Sequence, residues 1–149
     1  MSSKILIVYY SHTGKTKQIA NLIRRVTDCD EDRIIPEETY TNDPYALKTR
    51  LHREGLQARP PIRKLNHDIK EYGTVIIGTP VWNNGLPPPV LTFLEDNDWR
   101  GIKVYPFFSS GGIYVGALSK LKEKTKGAGI ADPLYLIYDD KGKFLRLVE

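Results

Sequence analysis

Ser11, Thr13 and Thr16 set three hydroxyls within six residues, around Gly14 and beside His12 and Lys15. These residue types at this spacing suit a phosphate. Hydroxyls donate to its oxygens, and a glycine lets the backbone come close. The flanks supply the rest of the cradle. Residues 4–10 (KILIVYY) are a near-continuous apolar run, as a buried parallel strand requires. Ile19, Ala20, Leu22, Ile23 and Val26 then recur at helical spacing. A loop between strand and helix faces the unpaired N–H groups and positive dipole end of the helix, where an anion is stabilised.

Two phosphate motifs are excluded by spacing. A nucleoside-triphosphate loop ending in Gly14-Lys15-Thr16 needs a glycine five residues before Gly14, and that position is Tyr9, inside the strand. A dinucleotide loop needs several glycines and this loop has one.

Two further segments carry chemistry of a related kind. Residues 74–87 (TVIIGTPVWNNGLP) end a second apolar run in Thr79, Pro80, Val81 and Trp82, followed by Asn83, Asn84 and Gly85. Residues 104–112 (VYPFFSSGG) end a third in Ser109, Ser110, Gly111 and Gly112. Together with residues 11–16, and in this order, the segments resemble the three flavin-contacting loops of flavodoxins. The likeness covers roughly residues 4–138 and is nearest to small flavodoxin-like proteins with a Pro-x-Trp loop. It implies a non-covalently bound FMN. Ser11, His12, Thr13, Gly14, Lys15 and Thr16 would surround its phosphate, with His12 as loop packing or a phosphate contact and Lys15 toward solvent. Trp82 would lie against the isoalloxazine, which is flat and aromatic. Asn83, Asn84 and Gly85 tolerate positive φ and would present a backbone group to the ring. Successive N–H groups at Ser110, Gly111 and Gly112 would donate to its pyrimidine edge, and Tyr114 would cover its other face or pack in the first turn of the next helix.

The elements that must hold these loops alternate between strand and helix, the pattern of a parallel sheet covered on both faces. Strands are expected near 4–10, 32–36, 74–79, 102–108 and 133–138, and helices near 14–27, 44–55, 88–97 and 116–126. Asp43-Pro44 opens the second helix, inside an excursion over 37–72. Pro60 and Pro61 keep its tail extended. The resemblance implies a doubly wound α/β fold with strand order 2-1-3-4-5 and the ligand at the carboxyl edge. After residue 138 the sequence is too short for the long fifth helix of that fold. Lys141-Gly142 suits a turn between 134–138 and 144–148, and a two-turn helix competes with that hairpin. Bare sheet surface is unfavourable by ~25 cal/mol per Å2, so a homodimer is expected.

The 149 residues suit one domain spanning 1–149. The single cysteine, Cys29, excludes an internal disulfide and a cysteine-rich metal site. His52 and His67 lack metal-ligand spacing, and no metal is expected. Trp99 reads as structural. With no signal-peptide pattern and no apolar run of membrane-spanning length, a cytoplasmic protein is expected. The net charge of +4 and pI of about 9.1 set the chain apart from the acidic electron carriers of the family and favour an acidic redox partner. No nucleic-acid partner is expected, because no basic-aromatic stripe is present.

Two functions fit the resemblance: electron transfer to a partner protein, or a small FMN-dependent reductase of NAD(P)H and quinone type acting on a small acceptor. A third reading, of another class, is a flavodoxin-fold binding module without redox activity.

Overall fold

The computed structural model describes residues 4–55, 58–109, 114–138 and 144–148. Its centre is a parallel sheet of β1 (Ile5–Tyr9), β2 (Asp30–Arg33), β3 (Thr74–Thr79), β4 (Lys103–Phe108) and β5 (Gly129–Ile130), in the order β2-β1-β3-β4-β5. Helices α1 (Lys15–Val26), α2 (Pro44–Glu54), α3 (Pro88–Glu95) and α4 (Val115–Lys124) alternate with the strands. This is the doubly wound flavodoxin-like fold expected from the sequence.

β1 and β3 are apolar on both sides because both sides of the sheet are covered. Leu6, Val8, Val75 and Ile77 pack with Val90, Phe93 and Leu94 of α3 and Ala117 and Leu121 of α4. Ile7, Tyr9 and Ile76 face the other way, onto Ala20 and Ile23 of α1. Phe107 joins them by lying across Gly78, where an added methyl group would sit 2.0 Å from the ring. Trp99 is buried as a structural residue, its indole N–H donating to the Leu94 carbonyl at 2.8 Å.

The second strand is corrected from 32–36 to Asp30–Arg33. Polar anchors hold it in place of alternating apolar residues. The Tyr72 hydroxyl donates to Asp30 at 2.6 Å, the Tyr9 hydroxyl to Glu31 at 3.1 Å, and the His67 backbone N–H to buried Asp32 at 2.8 Å. The tail of the excursion then runs back along this edge. Ile62 bridges Pro36 in antiparallel fashion, and the Arg63 N–H donates to the Ile35 carbonyl at 2.7 Å.

The fifth strand is corrected as well. The sheet takes Gly129–Ile130, not 133–138. Tyr135–Tyr138 (β6) instead pairs antiparallel with Phe144–Val148 (β7), and β7 lies against α1. The chain therefore forms the hairpin rather than the short helix; its expected turn at Lys141-Gly142 lies outside the described residues. After β5 two N–H groups still follow β4, from Ala131 to Val104 and from Leu134 to Pro106. Pro106 is tolerated inside β4 for that reason. Alternate residues point to opposite neighbours, and the Lys103 and Ser109 N–H groups face the β3 side. The missing N–H of Pro106 falls on the outer side, where it orphans no acceptor.

Candidate functional site

The first loop leaves β1 with Tyr10 and Ser11 and enters α1 through Gly14, whose φ of 101° is left-handed and suits glycine. Gly14 caps the helix without a side-chain bond. Ser11 Oγ instead accepts the Lys17 N–H at 3.2 Å. The first-turn N–H groups of Lys15 and Thr16 have no hydrogen-bond acceptor among the described residues and are open to an anion. Ser11 and Thr16 are buried, His12 and Gly14 are intermediate, and Thr13 and Lys15 are exposed. No acidic residue sits in the first turn of α1.

The second loop follows β3. Thr79 is fully buried, and its hydroxyl donates to the Pro80 carbonyl at 2.8 Å. Trp82 and Gly85 exchange two backbone hydrogen bonds, of 3.1 and 2.8 Å, around Asn83 and Asn84. These two have φ of 51° and 57°, the signature of a tight primed turn. The positive φ values therefore fall on both asparagines and not on Gly85. Three prolines follow. Pro88 and Pro89 open α3, where missing N–H groups cost nothing.

The third loop begins at Ser109, whose N–H donates to the Thr79 carbonyl at 3.1 Å. Ser110, Gly111 and Gly112 lie outside the described residues. Tyr114 stands at the N-cap of α4 and stacks on Phe108, with ring centroids 5.2 Å apart and planes at 11°.

Further contacts join the loops. Thr16 Oγ1 and Ser109 Oγ share a hydrogen bond of 2.6 Å, which closes the first loop on the third. Asn84 presses on Gly116 of α4, where a methyl group would sit 2.1 Å from the Asn84 carbonyl oxygen. The second loop is thereby held against the helix that follows the third.

Trp82 is half-buried, and three rings meet it edge-on: His12 at 5.3 Å, Tyr40 at 5.6 Å and Tyr10 at 5.8 Å. His12 is fixed by a 2.7 Å hydrogen bond between Nε2 and the Thr41 carbonyl. A carbonyl only accepts, so Nε2 carries the proton. Tyr40 donates to Glu54 at 3.1 Å, and the Arg50 guanidinium lies 3.6 Å over its ring. Burial pushes the Tyr10 hydroxyl up to about 12, with Arg50 and Arg33 pulling partly back. Burial, then Glu54, raises Tyr40 as well. Tyr10 and Tyr40 carried no signal in the sequence, because each works through a partner far along the chain. The glycine inside a helical pattern at 116 was the one available cue.

The sequence matches the flavodoxin family over residues 4–137. No curated protein matches it. Among solved structures, a flavoprotein from Lactobacillus acidophilus NCFM in complex with FMN is 30% identical, with a TM-score of 0.75 over 87% of this chain and 90% of that one. The apo-form of the flavoprotein from the same organism is 26% identical, with a TM-score of 0.69 over 89% and 91%. A provisionally assigned flavoprotein from Bacteroides eggerthii DSM 20697 is 30% identical, with a TM-score of 0.76 over 87% and 86%. Fold, strand order and a family match spanning most of the sequence agree: the chain belongs to the flavodoxin family.

Proposed function

We propose that this protein binds FMN at the carboxyl edge of the sheet and passes electrons through it. The observation that carries this reading is the Thr16–Ser109 hydrogen bond of 2.6 Å, which brings two of the three loops together in a fold shared with a relative solved in complex with FMN.

The residues present fit the group. A phosphate dianion needs donors and no competing carboxylate. Ser11, Thr13 and Thr16 supply hydroxyls, the start of α1 supplies open N–H groups, and residues 11–16, 79–85 and 109–112 contain no Asp or Glu. Thr79, Pro80 and Val81 bring Trp82 to the edge, where its ring is held by Tyr10, His12 and Tyr40 as a wall for a flat ligand. Asn83, Asn84 and Gly85 form the turn beside it. Ser109, with Ser110, Gly111 and Gly112 of the same loop, would hold the pyrimidine edge, and Tyr114, which stacks on Phe108, would cover the ring. When bound, FMN supplies reversible electron uptake.

FMN added to the purified chain is expected to bind one per chain with a shifted visible spectrum. Trp82→Ala is expected to weaken binding by roughly tenfold, the value of about 1.4 kcal/mol of lost ring contact. A chain that takes up no FMN defeats the proposal and leaves a binding module. With no carboxylate in the loops, the midpoint potential is expected to lie above that of acidic flavodoxins; an equally low value contradicts this. Stepwise anaerobic reduction in two one-electron stages supports electron transfer between proteins. A single two-electron stage with steady NAD(P)H oxidation moves the assignment to a small reductase. The partner is proposed to be acidic, and its association is expected to slow as salt is raised.

A further inference from the structure

Beside the three loops, at the carboxyl end of β1 and β2, lies a cavity of about 280 Å3. Tyr10, His12, Arg33, Ile35, Thr39 and Tyr40 line it. Three of these are the rings that meet Trp82 edge-on, so one aromatic layer separates the cavity from Trp82. Its walls are therefore largely flat and apolar.

Two polar groups in this wall keep hydrogen-bonding capacity that the fold does not use. Arg33 has five N–H donors. Among the described residues its exposed guanidinium makes one hydrogen bond, of 3.1 Å to the Ser11 carbonyl, lies 5.9 Å from the centre of the Tyr9 ring and pairs with no carboxylate. Its strand neighbour Glu31 is already engaged by Arg24 and the Tyr9 hydroxyl. Tyr10 is 97% buried, and its hydroxyl has no hydrogen-bond partner among the described residues. No fully buried side-chain oxygen or nitrogen there is unpartnered. The hydroxyl therefore keeps some contact with solvent, and Tyr10 is among the residues that line the cavity. Arg50, bonded to the Thr39 carbonyl at 3.0 Å and stacked on Tyr40, fixes the rim.

We propose that this cavity is a second binding site, for a small aromatic carboxylate. A guanidinium fork and a phenol, both with donors to spare, match a carboxylate. The tyrosine and histidine walls match a flat ring. The volume is that of a small-ligand site, at the lower end of the usual range. Ser11 and His12 of the first loop also border the cavity, so the site adjoins the phosphate loop and rests on that reading only for its neighbour.

Calorimetric titration of benzoate into the full chain, with and without FMN, tests it, with Trp82 emission as a local reporter. Saturable binding in both forms is expected, with benzamide, the neutral counterpart, failing to bind. Arg33→Met is expected to weaken benzoate at least tenfold, and Tyr10→Phe to weaken it severalfold. The proposal is overturned by any of three results: no saturation at millimolar benzoate, equal binding of benzamide, or unaltered binding in both variants with native circular dichroism. Competition between benzoate and FMN overturns it too, by placing the anion at the phosphate loop. Because the flavin-free chain is measured separately, loss of the FMN assignment leaves this test intact.

Discussion

At Gly116 a single methyl group has opposite effects in isolation and in place. A glycine inside a helix is ordinarily improved by alanine, by about 1 kcal/mol. Here the added carbon would lie 2.1 Å from the Asn84 carbonyl oxygen and 2.7 Å from its side chain. A backbone oxygen in a tight turn gives way poorly. Gly116→Ala is expected to destabilise the protein by about 1–3 kcal/mol, read as a lower urea midpoint, and to weaken FMN uptake by displacing the Trp82 turn. An unchanged or raised midpoint would mean that the turn and α4 are not locked together. This contact also marks how much of the site could be read from sequence. Loop residues such as Ser11, Thr16, Trp82 and Ser109 were legible because each follows a recognisable apolar strand. Asn84 on Gly116 was not, since no local pattern announces a contact between two separate connections. His12 was half legible: its place in the loop was plain, but its bond to Thr41 depends on how the excursion folds back.

Elements were legible in proportion to how apolar they are. β3 was placed at its observed bounds, Thr74–Thr79, because Val75, Ile76 and Ile77 leave no alternative. β2 is a run of charged residues, so the neighbouring pair Ile34 and Ile35 drew the reading forward. The short β5 was passed over because the stronger apolar run at 134–138 had a better partner in β7. Between elements, Glu95 at the end of α3 bonds Arg59 of the returning segment and Lys124 of α4, both at 2.9 Å. These two cations hold its carboxyl at about 2, down from 4.5. The sign follows from linkage: a depressed acid contributes stability above its unfolded value and loses it as pH falls through the folded one. Stability is expected to decline between about pH 4.5 and 2, and Glu95→Gln to flatten that decline. The side chain is 35% exposed, so solvent screening limits the effect to about 1 kcal/mol or less. An acid profile identical in the variant would show the pair to be inert.

At the scale of the whole molecule, the sheet has a thick side and a thin one. α3 and α4 cover the first; α1, with β7 against it, covers the second. On the second, Ile5, Ile19, Cys29 and Tyr105 are only partly buried, and Val26 is 53% exposed. A second copy is proposed to cover this side. Sedimentation is expected to show a concentration-dependent dimer that Val26→Glu disperses; a monomer at every concentration refutes it. Among the described residues no helix is long and apolar enough to cross a membrane.

The outer strands restrict how such copies can meet. On one flank the Ile62 bridge and buried Asp32 blunt β2. On the other, Pro106 offers no donor, and its carbonyl is already taken by Leu134. A row of vacant backbone groups is what templates runaway stacking of strands between molecules, and at these positions the row is interrupted. At these positions the central sheet therefore offers a second copy no backbone ladder to extend.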